Sequence, residues 1–257
     1  MTASTPQHLF ILTGASRGMG LAMAQQLLQP GHRLLAISRS TADTLDALAA
    51  ERGATLEQWQ QDLADGVAAA ERLRGWLAAL PAGGIASATL INNAGVIPPI
   101  APLSDSDPAD LGRALRVGLE APMQLTGAFL GATEGWHAVP RKVLNISSGL
   151  GRRAMASQAA YCAAKAGMDH FTRCVALDEA AKPHGAKVCS LAPGVIDTDM
   201  QVQLRGADPA RFPDVQNFAN LKTGGMLTSP ADAAARVLAW LERADFGTNP
   251  VADVREA

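Results

Sequence analysis

The chain uses one tyrosine in 257 residues, Tyr161, and Lys165 follows it four positions later in the stretch "SQAAYCAAKAG". On a helix that spacing puts both side chains on one face. A free phenol ionises near ~10 and is a poor base at neutral pH. An ammonium beside it favours the phenolate, so the pair is expected to bring the Tyr161 pKa down and to exchange a proton with an alcohol or carbonyl oxygen. Ser148, in "LNISSG", stands thirteen residues before Tyr161 at the end of an apolar run, a place from which a hydroxyl can orient a carbonyl. Taken alone, a Tyr-x-x-x-Lys pair is more simply a core aromatic whose hydroxyl has found a partner. Its company decides otherwise.

That company begins with "TGASRGMG", in which Gly14, Gly18 and Gly20 follow the apolar run Leu9–Thr13 and precede a helical stretch. Glycines there allow a tight turn and let backbone N–H groups approach a phosphate, with the positive end of the helix behind them. The next apolar run ends "AISRS", with Ser38 and Arg39 where a carboxylate would accept hydrogen bonds from ribose hydroxyls. A guanidinium at that point suits a 2′-phosphate, and Arg17 inside the glycine loop can add a second. The expected cofactor is therefore NADP(H) rather than NAD(H).

The elements that must position these residues alternate. Apolar runs at Leu9–Thr13, Arg33–Ser38, Ala88–Asn92, Lys142–Ser147 and Lys187–Ala192 read as strands, with Leu56–Gln61 and Asn249–Val254 as further strand candidates. Helical stretches at Leu21–Leu28, Thr41–Arg52, Val67–Leu80, Pro108–Thr133, Ser157–Ala181 and Pro230–Glu242 separate them. Short apolar strands separated by helices imply a parallel sheet covered on both faces. The fold class is thus α/β: a Rossmann-type doubly wound sheet in a single domain spanning 1–257. Two segments break the alternation. Val96–Asp107 is proline-rich, and Thr198–Ser229 is long enough to form a substrate lid, expected over about 198–229.

Composition narrows the function classes. The net charge is −2, with 22 basic and 24 acidic residues, and no basic run is interleaved with aromatics; nucleic acid is not an expected partner. Three cysteines without CxxC spacing argue against a disulfide framework or a zinc site, and no metal is expected. The N-terminus, Met1 to His8, has neither a basic region nor an apolar core, and no window reaches the ~18 apolar residues of a spanning helix. The expectation is a soluble cytoplasmic protein without membrane attachment.

Together, "TGASRGMG", "NNAG" (Asn92–Gly95), Ser148, Tyr161-x-x-x-Lys165 and "PGVIDTDM" (Pro193–Met200) resemble the short-chain dehydrogenase/reductase family over nearly the whole chain. "APGVIDTDMQ" looks like the branch of sepiapterin and benzil (1,2-diketone) reductases. The resemblance implies roles by position. Gly14, Ser16, Arg17, Gly18 and Gly20 would hold pyrophosphate and ribose, and Arg39 the 2′-phosphate. Asp62 and Leu63 would meet adenine, and Asn93, Ala94 and Gly95 would line the cofactor ribose. Tyr161 would be the general acid and base, Lys165 would lower its pKa and bind the nicotinamide ribose, and Ser148 would hold the substrate oxygen. Pro193, Gly194, Ile196 and Thr198 would position the nicotinamide. Asp253 matches an aspartate that anchors substrate in the sepiapterin-like branch. One position departs from the family: Gly118, in "VGLEAP", stands where an asparagine usually assists a proton relay from the lysine.

The implied activity is NADPH-dependent reduction of a ketone or 1,2-diketone. Met200, Leu204, Phe212, Phe218 and Met226 favour an apolar or aromatic substrate, although the same residues could simply pack the lid onto the body. The alternatives are an alcohol dehydrogenase working in the oxidative direction, and a cofactor-binding sensor or scaffold whose catalysis is weakened at Gly118. The small-residue helices Pro108–Thr133 and Ser157–Ala181 suggest a homodimer or homotetramer.

Overall fold

The structure, a computed structural model, describes residues 6–256; the first five residues of the N-terminal segment expected to lack a leader lie outside them. Seven strands form one sheet in the order β3-β2-β1-β4-β5-β6-β7, every neighbouring pair parallel. They are β1 Gln7–Thr13, β2 His32–Ser38, β3 Thr55–Gln60, β4 Ile85–Asn92, β5 Arg141–Ile146, β6 Lys187–Ala192 and β7 Val251–Asp253. Each reading of a strand from the sequence corresponds to one of these, with ends shifted by up to three residues.

Successive residues of a strand serve opposite faces, and both faces are covered, which is why the inner strands β1, β2, β4, β5 and β6 read as largely apolar runs. On one face Phe10, Leu12, Leu34 and Leu191 pack against α1 (Gly18–Leu27), α2 (Asp43–Arg52) and α9 (Pro230–Leu241) through Met23, Leu45 and Val237. On the other Leu9, Ile11, Leu35 and Val188 meet α3 (Gly66–Ala78) and α5 (Ala121–Ala132) through Leu73, Leu125 and Phe129. The strand order reverses at β1, between β2 and β4, and a ligand crevice in such a sheet lies beyond the carboxyl ends at that point. Among the described residues, no helix is long and apolar enough to cross a membrane.

The expected helix Pro108–Thr133 is not continuous. It comprises α4 (Pro108–Leu115), a wider π-type turn at Arg116–Glu120, and α5. The cause is Pro122, which has no N–H to donate and whose ring would collide with the carbonyl four residues earlier. That carbonyl belongs to Gly118, buried in the widened turn. A side chain there would place its Cβ 3.1 Å from the Ala164 Cβ, one residue before Lys165. Glycine at 118 thus lets this turn lie against α6 (Ala159–Ala180).

The segment after β6 carries α7 (Asp199–Arg205) and α8 (Val215–Thr223). It has an apolar cluster of its own, built on Leu204, Phe212 and Phe218 with Met155, Met200 and Ile97 packed against it.

Candidate active site

A cleft of about 800 Å³ opens beyond the carboxyl ends of the strands, and the residues named above for cofactor and catalysis line it, as do Met200, Leu204, Phe218 and Asp253 of those named for substrate. The glycine loop forms one end. Gly14 (φ +71) and Gly18 (φ +55) sit in the left-handed region, where a Cβ is strained. A Cβ on Gly20 would stand 1.9 Å from the Gly14 carbonyl oxygen. The loop is clasped from outside: the Asn93 carboxamide donates to the carbonyls of Thr13 (3.0 Å) and Gly14 (3.2 Å). The Thr13 hydroxyl accepts from the N–H groups of Asn93 and Ala94, both at 3.0 Å, and the Ala15 N–H donates to Ser38 Oγ at 2.8 Å. Asn93 therefore holds the loop through its side chain, in addition to lining the cleft. α1 begins at Gly18 behind an extended Arg17 with no side-chain cap, so the N–H groups of its first turn are available to an anion. A cradle that admits no Cβ, backed by an uncapped helix start, fits a dinucleotide phosphate.

Charged residues surround that end. Arg39 is exposed at the end of β2. Arg17 reaches across the cleft to Asp199 at the start of α7, 3.2 Å away. The Asp62 carboxylate accepts from the Ala64 N–H (2.9 Å) and from Arg113 (3.0 Å). The Ala64 N–H, Arg113 and the charge of Arg39 hold its carboxyl below the usual range. The expected adenine contact at Asp62 thus comes from a carboxylate already fixed by two donors.

The part of the cleft that holds Ser148, Tyr161 and Lys165 is built where β5 meets α6. Ser148 follows β5 and its Oγ accepts from the Leu150 N–H at 3.2 Å, capping a short 3₁₀ turn at Gly149–Gly151. Tyr161 and Lys165 lie in the first turns of α6, 9% and 4% exposed. The Lys165 ammonium donates to the Ile146 carbonyl at 2.6 Å and stands 5.8 Å from the centre of the tyrosine ring. Burial pushes Lys165 down to about 8, with Asp169, one turn further on, opposing it. Asp169 is held by Ser190 (2.6 Å) and Arg152 (3.3 Å), and Arg152 also donates to the Ala252 carbonyl at 2.8 Å.

One expectation about this end is corrected. The Tyr161 pKa is not lowered: burial pushes it above the usual value, and the nearby Ser148 side chain only partly offsets that. The lysine has turned its ammonium to the Ile146 carbonyl, so desolvation governs the phenol.

At the far end, Asp253 closes β7 with its carboxylate gripped by Arg255, whose Nε is at 2.8 Å, and this pair holds the carboxyl below its usual range. Met200, Leu204 and Phe218 line the cleft; Phe212 is fully buried beneath them and Met226 is 60% exposed away from it. The apolar residues of this segment therefore divide between wall and packing. Sequence reasoning missed Arg113, Arg153, Met155, Arg205, Lys222 and Arg255, which also line the cleft. None sits in a motif; they converge through helix and loop placement alone.

Known proteins share these features. The family profile described as short chain dehydrogenase matches residues 8–208. The chain is 34% identical over 246 residues to a benzil reductase ((S)-benzoin forming) from Bacillus cereus, covering 96% of this chain and 98% of that protein. It is 35% identical over 254 residues to a sepiapterin reductase from Xenopus tropicalis, covering 94% of each. A solved metagenomic short-chain oxidoreductase in complex with NADP superposes with a TM-score of 0.70 at 27% identity, over 98% of this chain and 96% of that one.

Proposed function

This chain belongs to the short-chain dehydrogenase family of oxidoreductases, and we propose that it is an NADPH-dependent reductase of apolar or aromatic carbonyls, 1,2-diketones included, with Tyr161 as the general acid. The observation that carries the proposal is Tyr161 itself, a buried phenol beside Ser148 and one helical turn from Lys165 in the cleft that the glycine loop closes. The bound nicotinamide would supply hydride to the carbonyl carbon. Ser148 donates a hydrogen bond to the carbonyl oxygen and polarises it, and Tyr161 delivers its proton to that oxygen as negative charge develops. A phenol is in the acid form at neutral pH with or without that rise, and the acid form is the one reduction uses. The oxidative direction would need the phenolate.

Three further features support the reading. Arg39 stands where a carboxylate would favour an unphosphorylated ribose, and Arg17 of the glycine loop lines the same cleft. Apolar Met155, Leu204 and Phe218 wall the end of the cleft away from that loop. The relatives that share most of the chain are named for benzil and sepiapterin reduction.

The test is absorbance-monitored oxidation of NADPH and NADH with benzil, 1-phenyl-1,2-propanedione, sepiapterin and simple ketones. Expected is turnover that prefers NADPH and drops about 10²- to 10⁴-fold in Tyr161→Phe, with NADPH binding retained. Full activity in that variant would refute the assignment of Tyr161.

We also infer a homodimer or homotetramer. Leu115, Met123 and Leu177, on α4, α5 and α6, are 40%, 44% and 74% exposed, and burying them would remove apolar surface from water. A monomeric mass by light scattering would refute it.

A further inference from the structure

The whole chain carries a net charge of −2, yet its cleft is lined by eight cationic side chains against four carboxylates. Part of the excess lies by the glycine loop, where phosphates are expected. At the other end Arg153, Arg205, Lys222 and Arg255 face only Asp197 and Asp253.

The pairing at that end is uneven. Arg255 has Asp253 to itself. Asp197 serves two cations: Lys222 takes one oxygen in a short hydrogen bond, and Arg205 stands 3.6 Å from the other. That distance is too long for a hydrogen bond, and the Arg205 Nη1 is buried with no acceptor. A buried guanidinium nitrogen without an acceptor has given up its hydrogen bond to water and gained none in return. Arg153 has no hydrogen-bonding or ionic side-chain partner among the described residues. Both arginines flank the apolar wall, Arg205 next to Leu204 and Arg153 two residues before Met155. Gln201, one turn before Arg205 and also on the cleft, is 7% exposed and its Oε1 is likewise without a partner.

We propose that the substrate carries, besides its carbonyl, a carboxylate at its far end, and that Arg205 and Arg153 receive it while the apolar body lies against Met155, Leu204 and Phe218. The proposal rests on the carbonyl-reductase reading above and specifies its substrate. A carboxylate in the cleft would add negative charge beside Arg205, whose side chain is 18% exposed and lines the cleft, and in such a partly desolvated site a charge-assisted bond is strong. Benzene-ring and diketone contacts alone would leave both guanidiniums as they are.

The test compares benzil with 4-carboxybenzil, which differ by one carboxylate. In the wild type kcat/KM is expected to be at least fivefold higher for 4-carboxybenzil, through KM. In Arg205→Gln and in Arg153→Gln that advantage falls below twofold in at least one variant, while benzil turnover stays within twofold, and Arg205→Lys keeps part of the preference. Arg153 is exposed, so its variant remains informative if Arg205→Gln fails to fold. Equal kcat/KM for the two compounds in the wild type, or an unchanged preference in both variants, would overturn the proposal. If neither compound is turned over, the reductase reading is in question, and tryptophan-fluorescence titration of the same pair decides this one. Tighter binding of 4-carboxybenzil that is lost in the variants would uphold the carboxylate site, and equal binding would overturn it.

Discussion

Replacing Lys165 with methionine should make the protein more stable and almost inactive. Lys165 is 4% exposed, and burial brings its pKa from 10.5 to about 8. Each unit is about 1.4 kcal/mol, so keeping the ammonium charged in the fold costs roughly 3 kcal/mol below pH 8. Methionine has a similar unbranched shape and removes that cost. It also removes the hydrogen bond to the Ile146 carbonyl, and an acceptor left unpaired there takes back about 1–2 kcal/mol. The net expectation is a gain of about 1–2 kcal/mol at pH 7. For a chain of this size that is a rise in Tm of roughly 2–8 °C. The pH dependence is the sharper signature. The folded pKa lies below the unfolded one, so the unfolded chain binds the extra proton between about pH 8 and 10.5, and wild-type stability from this group rises with pH across that window. The advantage of Lys165→Met should therefore be full at pH 7 and shrink steadily towards pH 10. Calorimetry at pH 6, 7, 8.5 and 9.5, alongside NADPH turnover, measures both. A variant less stable than wild type at pH 7, or a gap that does not narrow by pH 9.5, would show that Lys165 is held by favourable interactions and not at the expense of stability. Retained turnover would remove it from the chemistry.

Other outcomes follow from the same geometry. Gly20→Ala would drive a Cβ to within 1.9 Å of the Gly14 carbonyl; the loop must shift, and NADPH affinity by fluorescence titration should fall at least about tenfold, a contact loss of ~1.4 kcal/mol. Arg39→Ala should raise Kd for NADPH about ten- to a hundredfold, the range of a charge-assisted bond, and leave NADH within twofold; equal effects on both would refute a 2′-phosphate contact. Gly118→Asn should lower Tm by a few degrees, because Ala164 sits 3.1 Å from the new Cβ and belongs to the helix carrying Tyr161 and Lys165. If the same variant raises kcat, a missing carboxamide had been limiting turnover, and the sensor reading of the wild type gains ground.

Patterns local in the chain were legible without coordinates. The five inner strands are largely buried on both faces and so read as apolar runs, while the half-exposed edge strand β3 is mostly polar; the glycine loop, Ser148 and the Tyr161–Lys165 pair are motifs whose spacing is itself the geometry of a turn or a helix face. Those residues, and Arg39 at a strand end, all reach one cleft because a parallel sheet brings every strand's carboxyl end to the same edge. Features that depend on three-dimensional surroundings were not legible. The phenol's pKa turns on how deeply α6 is buried and on where the lysine directs its ammonium, and sequence spacing carries neither. The break at Arg116–Glu120 was within reach, since Pro122 lies four residues beyond Gly118, but the apolar periodicity runs through it. Asp253 reads as a free carboxylate until the chain after β7 folds Arg255 back onto it. The cations of the far end come from four separate segments, and only their convergence leaves two guanidiniums short of acceptors. Sequence by itself determined the fold and the chemistry the cleft can perform, because both are written in short-range spacing. Tertiary structure alone decided the direction in which the Tyr161 pKa moves and the excess of cations at the far end of the cleft, because burial and electrostatics are sums over neighbours distant in the chain.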